Sequence, residues 1–504
     1  MNNWKNRRPI QQTFLSVIVS IKDGMEGKLQ EALYKLRHDW YSSAGNTKPD
    51  SPFKAVKNVH FARLVIIDVK RSDMSVFRPQ LLFETWYDEI GQDHLLDLLP
   101  PETGNQEANA EDSHSEEDDP ARFRKLHEMF NSVFGFCENY EIANLPLDDS
   151  DRENLRKFMS KHRGRDYANA PFVGARGRTV KQIKYEKELR QNISDHLTGK
   201  KWQERDPVAV WKEIKKGFKP EDEPPPQLPW LTRLITDAGL SGFLVTYVGF
   251  LLGLPLIAFF VYAAVPALAA LLGVSAAWSW TGAFDPGWAL LAVFGPLLYL
   301  VVVLNWHEIN DEYDELTQPD PVKFVKNEEH ILQNPMSSAI LVKSGLFRLV
   351  SLELVLWFVR WVARFIDTKG QLGGISSIHF ARWAIFGRPP VLLFMSNYNS
   401  SWENYLSEFV ENAAAGLTLI WTHAHAFPRT RWLITKGAKD EQAFKAYSRN
   451  SMIETHLWYS AYPYLSIIEI NRNSRIRQAL HRKKMTADEA KNWLRLFGGT
   501  TEAL

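Results

Sequence analysis

Val59-His60-Phe61-Ala62-Arg63 and Ile378-His379-Phe380-Ala381-Arg382 carry one pattern at two distant places in the chain. Working outward from this pair, the resemblance continues on both sides. Upstream, Ile21-Lys22-Asp23-Gly24 has a counterpart in Val342-Lys343-Ser344-Gly345. Downstream, Leu81-Leu-Phe-Glu-Thr-Trp-Tyr-Asp88 matches Leu392-Leu-Phe-Met-Ser-Asn-Tyr-Asn399. Two weaker blocks pair 133–140 with 420–427 and 151–158 with 440–447. Blocks recurring in the same order indicate an internal duplication rather than chance. The offset between copies changes because the first carries an acidic insert, 102–119, with eight carboxylates and few apolar residues. Such a composition reads as a solvated, disordered loop.

Each copy reads as the same series of elements. Residues 13–21 are β-branched and apolar, and Gly24 ends the run. Leu29, Ala32, Leu33, Leu36 and Trp40 then recur at helical spacing. Strand-like runs follow at 60–69 and 80–86, a helical stretch at 121–132, and a last strand-like run at 133–140. This βαββαβ order is that of the ferredoxin-like unit. One face of such a sheet is left uncovered by its own helices, so two units hide their faces against each other. The expected class is therefore α+β: two ferredoxin-like repeats in a pseudo-dimeric α/β sandwich or barrel, with an inserted transmembrane helical hairpin. The corresponding division is a first repeat over 1–160, a charged helical linker over 161–236, a hairpin over 237–306 and a linker over 307–334. A second repeat over 335–470 and a basic helical tail over 471–504 complete it.

The hairpin expectation comes from charge distribution. From 239 to 306 the only charged residue is Asp285, although 24% of the 504-residue chain is charged. The run 240–272 exceeds the ~20 residues that cross a bilayer, and Pro255 and Pro266 lie inside it. A turn-rich segment precedes a second run, 288–304, and Trp278, Trp280, Trp288 and Trp306 sit near the run ends. Lys215, Lys216, Lys219 and Arg233 precede these runs, and Lys323 and Lys326 follow them. The positive-inside rule then predicts a multi-pass membrane protein, with two spans or three, lipid around it and both repeats on the cytoplasmic side. Residues 1–10 lack the apolar core of a signal peptide, so the N-terminus is expected in the cytoplasm. Cys137 is the single cysteine, which excludes an internal disulfide and a multi-cysteine metal cage. A formal net charge of +1 gives no electrostatic drive toward nucleic acid.

Several residues are candidates for chemistry. His379 or His60 has the character of a cofactor ligand, and Arg382 or Arg63 that of an anion stabiliser. Residues three apart on a regular strand face opposite sides, so a joint role for His379 and Arg382 needs a bulge. The alternative is that these side chains bond backbone and neighbouring helices. His423 and His425, two apart on or after the last strand, would share a face suited to a metal or a proton relay, with Arg429 just beyond. Phe136 and Glu138 occupy the matching first-copy positions, and which metal, if any, is unknown. His307 and Asp311 stand a helical turn apart, as metal ligands or as a solvated helix end. Gly174-Ala-Arg176-Gly-Arg178-Thr179 precedes a charged helix, and Thr179 with Gln182 resembles a capping box. Arg176 and Arg178 with the free amides there suit a carboxylate or phosphate, or form a plain cap with surface arginines. The helix over 346–366 is apolar around more of its surface than one sheet contact needs. It is expected to meet membrane, hairpin or a greasy ligand as well.

A duplicated βαββαβ unit around a central cavity resembles the dimeric α/β-barrel superfamily, which includes dye-decolorising peroxidases and chlorite dismutases. The resemblance covers roughly 12–160 and 335–470 and is architectural. The peroxidases' Gly-x-x-Asp-Gly motif is absent; the nearest stretch, Ser20-Ile-Lys-Asp23-Gly24, lacks the first glycine. The resemblance implies a haem-binding oxidoreductase of peroxidase type acting on an apolar substrate. His379 or His423 would be the axial ligand, with Arg382 or Arg429 cleaving a peroxide or binding a carboxylate, and His425 beside them. The competing expectation is a non-catalytic, membrane-tethered module that binds a lipid-like ligand or a partner protein.

Overall fold

The computed structural model describes residues 11–42, 51–69, 78–89, 93–100, 120–164, 168–198, 202–220, 302–303, 305–310, 332–365, 374–432 and 435–497. The protein is α+β, with two four-stranded antiparallel sheets. The first half supplies β1 (Gln11–Ser20), α1 (Glu26–Ser42), β2 (Val59–Ile67), β3 (Gln80–Glu89), α2 (His94–Leu98), α3 (Pro120–Phe134), α4 (Asp149–Lys161), β4 (Ala168–Val173), α5 (Val180–Leu197) and α6 (Pro207–Gly217). The second half supplies β5 (Gln333–Leu341), α7 (Leu346–Phe365), β6 (Ile378–Phe386), β7 (Val391–Asn399), α8 (Trp402–Trp421), a small ribbon of β8 (Thr430–Arg431) and β9 (Thr435–Lys436), α9 (Glu441–Asn450), β10 (Thr455–Ser460), α10 (Ile467–His481) and α11 (Ala487–Leu494). Gly24 and Gly345 turn the chain from first strand to first helix in each half at φ +73 and +108, a region costly for any residue with a Cβ.

The sheet orders are β1–β3–β2–β10 and β4–β6–β7–β5. Each sheet therefore borrows an edge strand from the other half: β10 pairs with β2, and β4 pairs with β6. Smaller bridges follow the same correspondence, Val17–Arg163 and Ile21–Cys137 against Ser338–Met452 and Val342–Ala424. Pro171 and Pro335 lie in β4 and β5, both edge strands, where a missing N–H costs no ladder bond. β2 and β6 are buried along their whole length because both of their faces are covered. Val59, Ala62, Leu64 and Ile66 face the helices α1 and α3, whereas Phe61, Val65 and Ile67 face the second sheet. Between the sheets Phe380 lies 5.1 Å from Phe61 and 4.7 Å from Trp86, and Tyr462 lies 5.5 Å from Phe61, centroid to centroid. Aromatic pairs at such spacings add about 0.5–1.5 kcal/mol each beyond area burial.

Three sequence expectations change. The fourth block is not a strand: α3 runs to Phe134 and α8 to Trp421, leaving only the single-residue bridges at Cys137 and Ala424. Val133 and Phe134 belong to the buried face of α3 with Leu126, Met129 and Phe130, so helical burial overrides the local β-preference. Residues 168–173, 180–197 and 207–217, within the stretch expected as a charged linker, form β4, α5 and α6. Their counterparts β10, α10 and α11 follow the second half in the same order.

The third change concerns the membrane. The expectation of a multi-pass protein with both repeats on the cytoplasmic side is corrected: among the described residues, no helix is long and apolar enough to cross a membrane. The most apolar long helix, α7, carries Arg348, Glu353, Arg360 and Arg364, and buries Leu352, Leu356 and Ala363 against protein instead. The run 240–272 and all of 288–304 except residues 302–303, expected as spans, lie outside the described residues, as does the acidic segment 102–119.

Candidate functional site: the polar layer between the sheets

The repeated His-Phe-Ala-Arg builds this layer through a bulge in each copy. Pairing with β3 shifts register between Val59 and Phe61, and pairing with β7 shifts between Ile378 and Phe380. One extra residue in each strand puts His60 and Phe61, and likewise His379 and Phe380, on the same face. The histidine and the arginine three residues later then both point between the sheets.

Arg63 and Arg382 meet at one carboxylate. Glu84 Oε1 accepts a hydrogen bond from Arg382 Nη1 at 2.9 Å, and Glu84 Oε2 lies 3.5 Å from Arg63 Nε. Arg63 also donates to the Met336 carbonyl at 3.0 Å and to Asn397 Oδ1, and Arg382 donates to Ser16 and stacks over Phe14 at 3.9 Å. Burial lowers the Arg63 pKa; Glu84 opposes that shift and Arg382 adds to it. His60 is held on both nitrogens, by Asp88 Oδ1 at 2.9 Å and by the Tyr462 hydroxyl at 2.7 Å. Asp88 Oδ2 in turn accepts from the Val180 amide at 2.9 Å, at the first turn of α5. A third buried pair joins the halves, Arg477 Nε to Glu186 Oε1 at 2.7 Å.

The second copy repeats the cations but not the anions. Met395 stands where the first copy has Glu84, Asn399 where it has Asp88, and, aligning α5 with α10 on Val180 and Ile467, Asn473 where it has Glu186. The frame is conserved around these changes. Asn399 Oδ1 accepts from the Ile467 amide at 2.9 Å, as Asp88 does from Val180. Gln12 donates to the carbonyls of Ala175 and Arg178, and Gln333 to those of Tyr462 and Leu465. Ala175 thus corresponds to Tyr462. His379 consequently lacks both groups that hold His60: its acidic partner is an amide and its phenol is a methyl.

No protein-family profile, curated protein or solved structure matches this chain.

His379 is fully buried, and neither ring nitrogen makes a hydrogen bond of good geometry, the Asn399 side chain being a weak polar contact. Desolvation lowers its pKa to about 3; Asn399 pulls the other way and His60 adds to the lowering. The ring lies 5.8 Å from Phe61 and 6.1 Å from Tyr462. These surroundings do not fit a haem. An axial histidine needs a flat open space beyond its nitrogen, and aromatic side chains occupy the layer around His379. Arg382 is bonded to Glu84 and Ser16 inside the same layer.

The other sequence candidates are dispersed. His423 bonds Ser351 of α7 at 2.8 Å and the Ile420 carbonyl at 3.2 Å, fastening the end of α8 to α7. Burial and the nearby Arg348 lower its pKa to about 3. His425 flanks the Ala424 bridge through its own amide to Leu341, so the two histidines sit in a turn rather than along one strand face. Among the described residues no group of three His, Cys, Asp or Glu is placed to hold a metal ion. Arg176 donates to the Ala363 carbonyl at 2.7 Å and Arg178 to Asn471 at 2.6 Å. Thr179 does cap α5, accepting from the Gln182 amide, but the Gln182 side chain turns to Glu186. The Val180 amide at that helix start is taken by Asp88 of the chain itself. Arg429 is exposed, and His307 stacks on Phe347 at 4.7 Å. Glu84, Asp88 and Tyr462 were not singled out from sequence. The matched Leu81–Asp88 and Leu392–Asn399 blocks held the signal for the two acids; Tyr462 had none, because it reaches His60 from outside the aligned blocks.

Proposed function

We propose that this chain is a non-catalytic module that binds a partner protein, built as two ferredoxin-like βαββαβ repeats fused into a pseudo-dimeric α/β sandwich. The observation that carries the reading is the exposed ridge of α7. Leu346, Val350, Leu354 and Phe358 follow one another at i, i+4 spacing and are 78%, 43%, 62% and 50% exposed. Aligning the buried Leu29 and Leu33 of α1 with Leu352 and Leu356 of α7 sets Val350, Leu354 and Phe358 against Gly27, Glu31 and Lys35. The first copy presents charge and glycine where the second presents an apolar row. A row of about 18 Å on one helix suits ridge-into-groove packing with an apolar helix of a partner. A lipid-like ligand calls for a concave, enclosing site instead. The buried carboxylates support the same reading: among the described residues, Glu84, Asp88 and Glu186 are bonded to Arg382, His60 and Arg477.

The test is Leu354→Asp with Phe358→Ser in the full chain, followed by binding of anilinonaphthalene sulfonate, a dye for exposed apolar surface. The expected result is several-fold weaker dye binding with stability unchanged within about 0.5 kcal/mol. Unchanged dye binding, or a loss of several kcal/mol, would mean that the ridge is already covered by the chain itself and would sink the proposal.

A further inference from the structure

A groove of about 350 Å³ lies between α10 and α11. Its rim carries Arg475 and Arg482, both exposed, and its apolar wall is formed by half-buried Met485 and Leu496 over buried Trp493. Glu489 also lines the groove, and Lys483, Lys484, Asp488, Lys491 and Arg495 are exposed in the same stretch of chain. Glu489 is engaged by Arg482 Nη1 at 2.8 Å and by the Thr486 amide at 2.9 Å as part of the α11 capping box. Glu489 offsets Arg482, so among the lining residues Arg475 carries the net positive charge of the rim. The other copy shows that the charge is not a property of the fold. In the α5–α10 alignment Arg475 corresponds to Glu188 and Arg482 to Asp195, both exposed carboxylates. Charge is reversed at both rim positions while the buried positions, Leu189 with Ile476 and Ile193 with Leu480, keep their apolar character.

We infer that the α10–α11 groove is the docking site for an acidic peptide segment of a partner protein, with an apolar side chain on the Met485–Leu496 wall and carboxylates on Arg475 and Arg482. This rests on the partner-binding reading and names the chemistry of one partner segment. A nucleic acid suits the groove less well, because Trp493 is only 3% exposed and offers no face on which a base can stack. The chain's own acidic stretch, 102–119, has carboxylates but no apolar side chain larger than alanine, so it lacks the anchor.

The test uses the full chain and a short fluorescent peptide of glutamate and leucine, read by anisotropy. Expected are saturable binding that weakens with salt, a loss of about tenfold or more in Arg475→Glu/Arg482→Asp, and near-retention in the Arg→Lys pair. The glutamine–leucine peptide should bind at least about tenfold more weakly. Equal binding of the two peptides, an unchanged affinity in the charge-reversed variant, or binding only of an oligonucleotide or of anionic vesicles would overturn the inference. Absence of peptide binding while the α7 dye result holds would remove this groove alone and leave the module reading in place.

Discussion

Glu84→Met tests the account of the polar layer most sharply, since it gives the first copy the residue the second already has. Arg63, Glu84 and Arg382 are 2%, 1% and 1% exposed, and the carboxylate is the shared counter-charge at 2.9 and 3.5 Å. Removing it leaves two guanidinium groups buried in one layer without the counter-charge they share. Breaking a buried ion pair in this way costs about 3–5 kcal/mol, a large part of the ~5–15 kcal/mol that holds a typical domain. Urea unfolding at neutral pH, followed by tryptophan fluorescence, reads the loss as a lower midpoint. The swap Glu84→Met with Met395→Glu should recover most of it. Met395 faces Arg382 in the β6–β7 register as Glu84 faces Arg63 in β2–β3. A single substitution costing less than about 1 kcal/mol would refute the idea that this carboxylate holds the two arginines.

The two histidines should behave oppositely. His60→Leu strands buried Asp88 and Tyr462 and is expected to cost about 3 kcal/mol or more, whereas His379→Leu removes two unsatisfied nitrogens and should be neutral or stabilising by up to about 2 kcal/mol; equal losses in urea unfolding would contradict this. Acid should destabilise the fold through histidines kept neutral by burial, His379 and His423 with pKa about 3 and His127 and His456 with pKa about 4. Unfolded histidines take up protons near pH ~6.5, so this stability is full above that pH and is lost as pH falls toward the folded values, at up to ~2 kcal/mol per histidine by pH ~5. Urea midpoints that stay flat from neutral pH to pH ~5 would rule it out. A fragment of residues 333–497 loses β4 and the opposing sheet, so it should aggregate alone and become soluble when co-expressed with residues 1–220; a monodisperse monomer would exclude a shared core.

Much of this architecture was legible in the sequence because duplication is read by order, not by energy. The blocks around His60 and His379 located β2, β3, β6 and β7, and Gly24 and Gly345 marked the turns into α1 and α7. The bulge that a joint histidine–arginine role required is present in both copies. The exchanged strands were hidden: Ala168–Val173 is six residues including Pro171, and nothing local says that it completes the sheet of the other half. The candidate site was half visible. Cations repeat and so announce themselves, whereas Glu84, Asp88 and Glu186 occur in one copy only, and their partners are fixed by packing across the two halves. His423 and His425 misled because their spacing suits a strand, while the chain there is a helix end followed by a turn.

The most direct measurement of whether the inter-sheet layer is scaffold is an absorption spectrum of the full chain, purified after expression with supplemented haem. A filled aromatic layer around His379, with Arg382 bonded to Glu84, predicts no Soret band and the same spectrum for His379→Ala. A Soret band in the unaltered chain that disappears in His379→Ala would show a haem ligated in that layer and contradict the account.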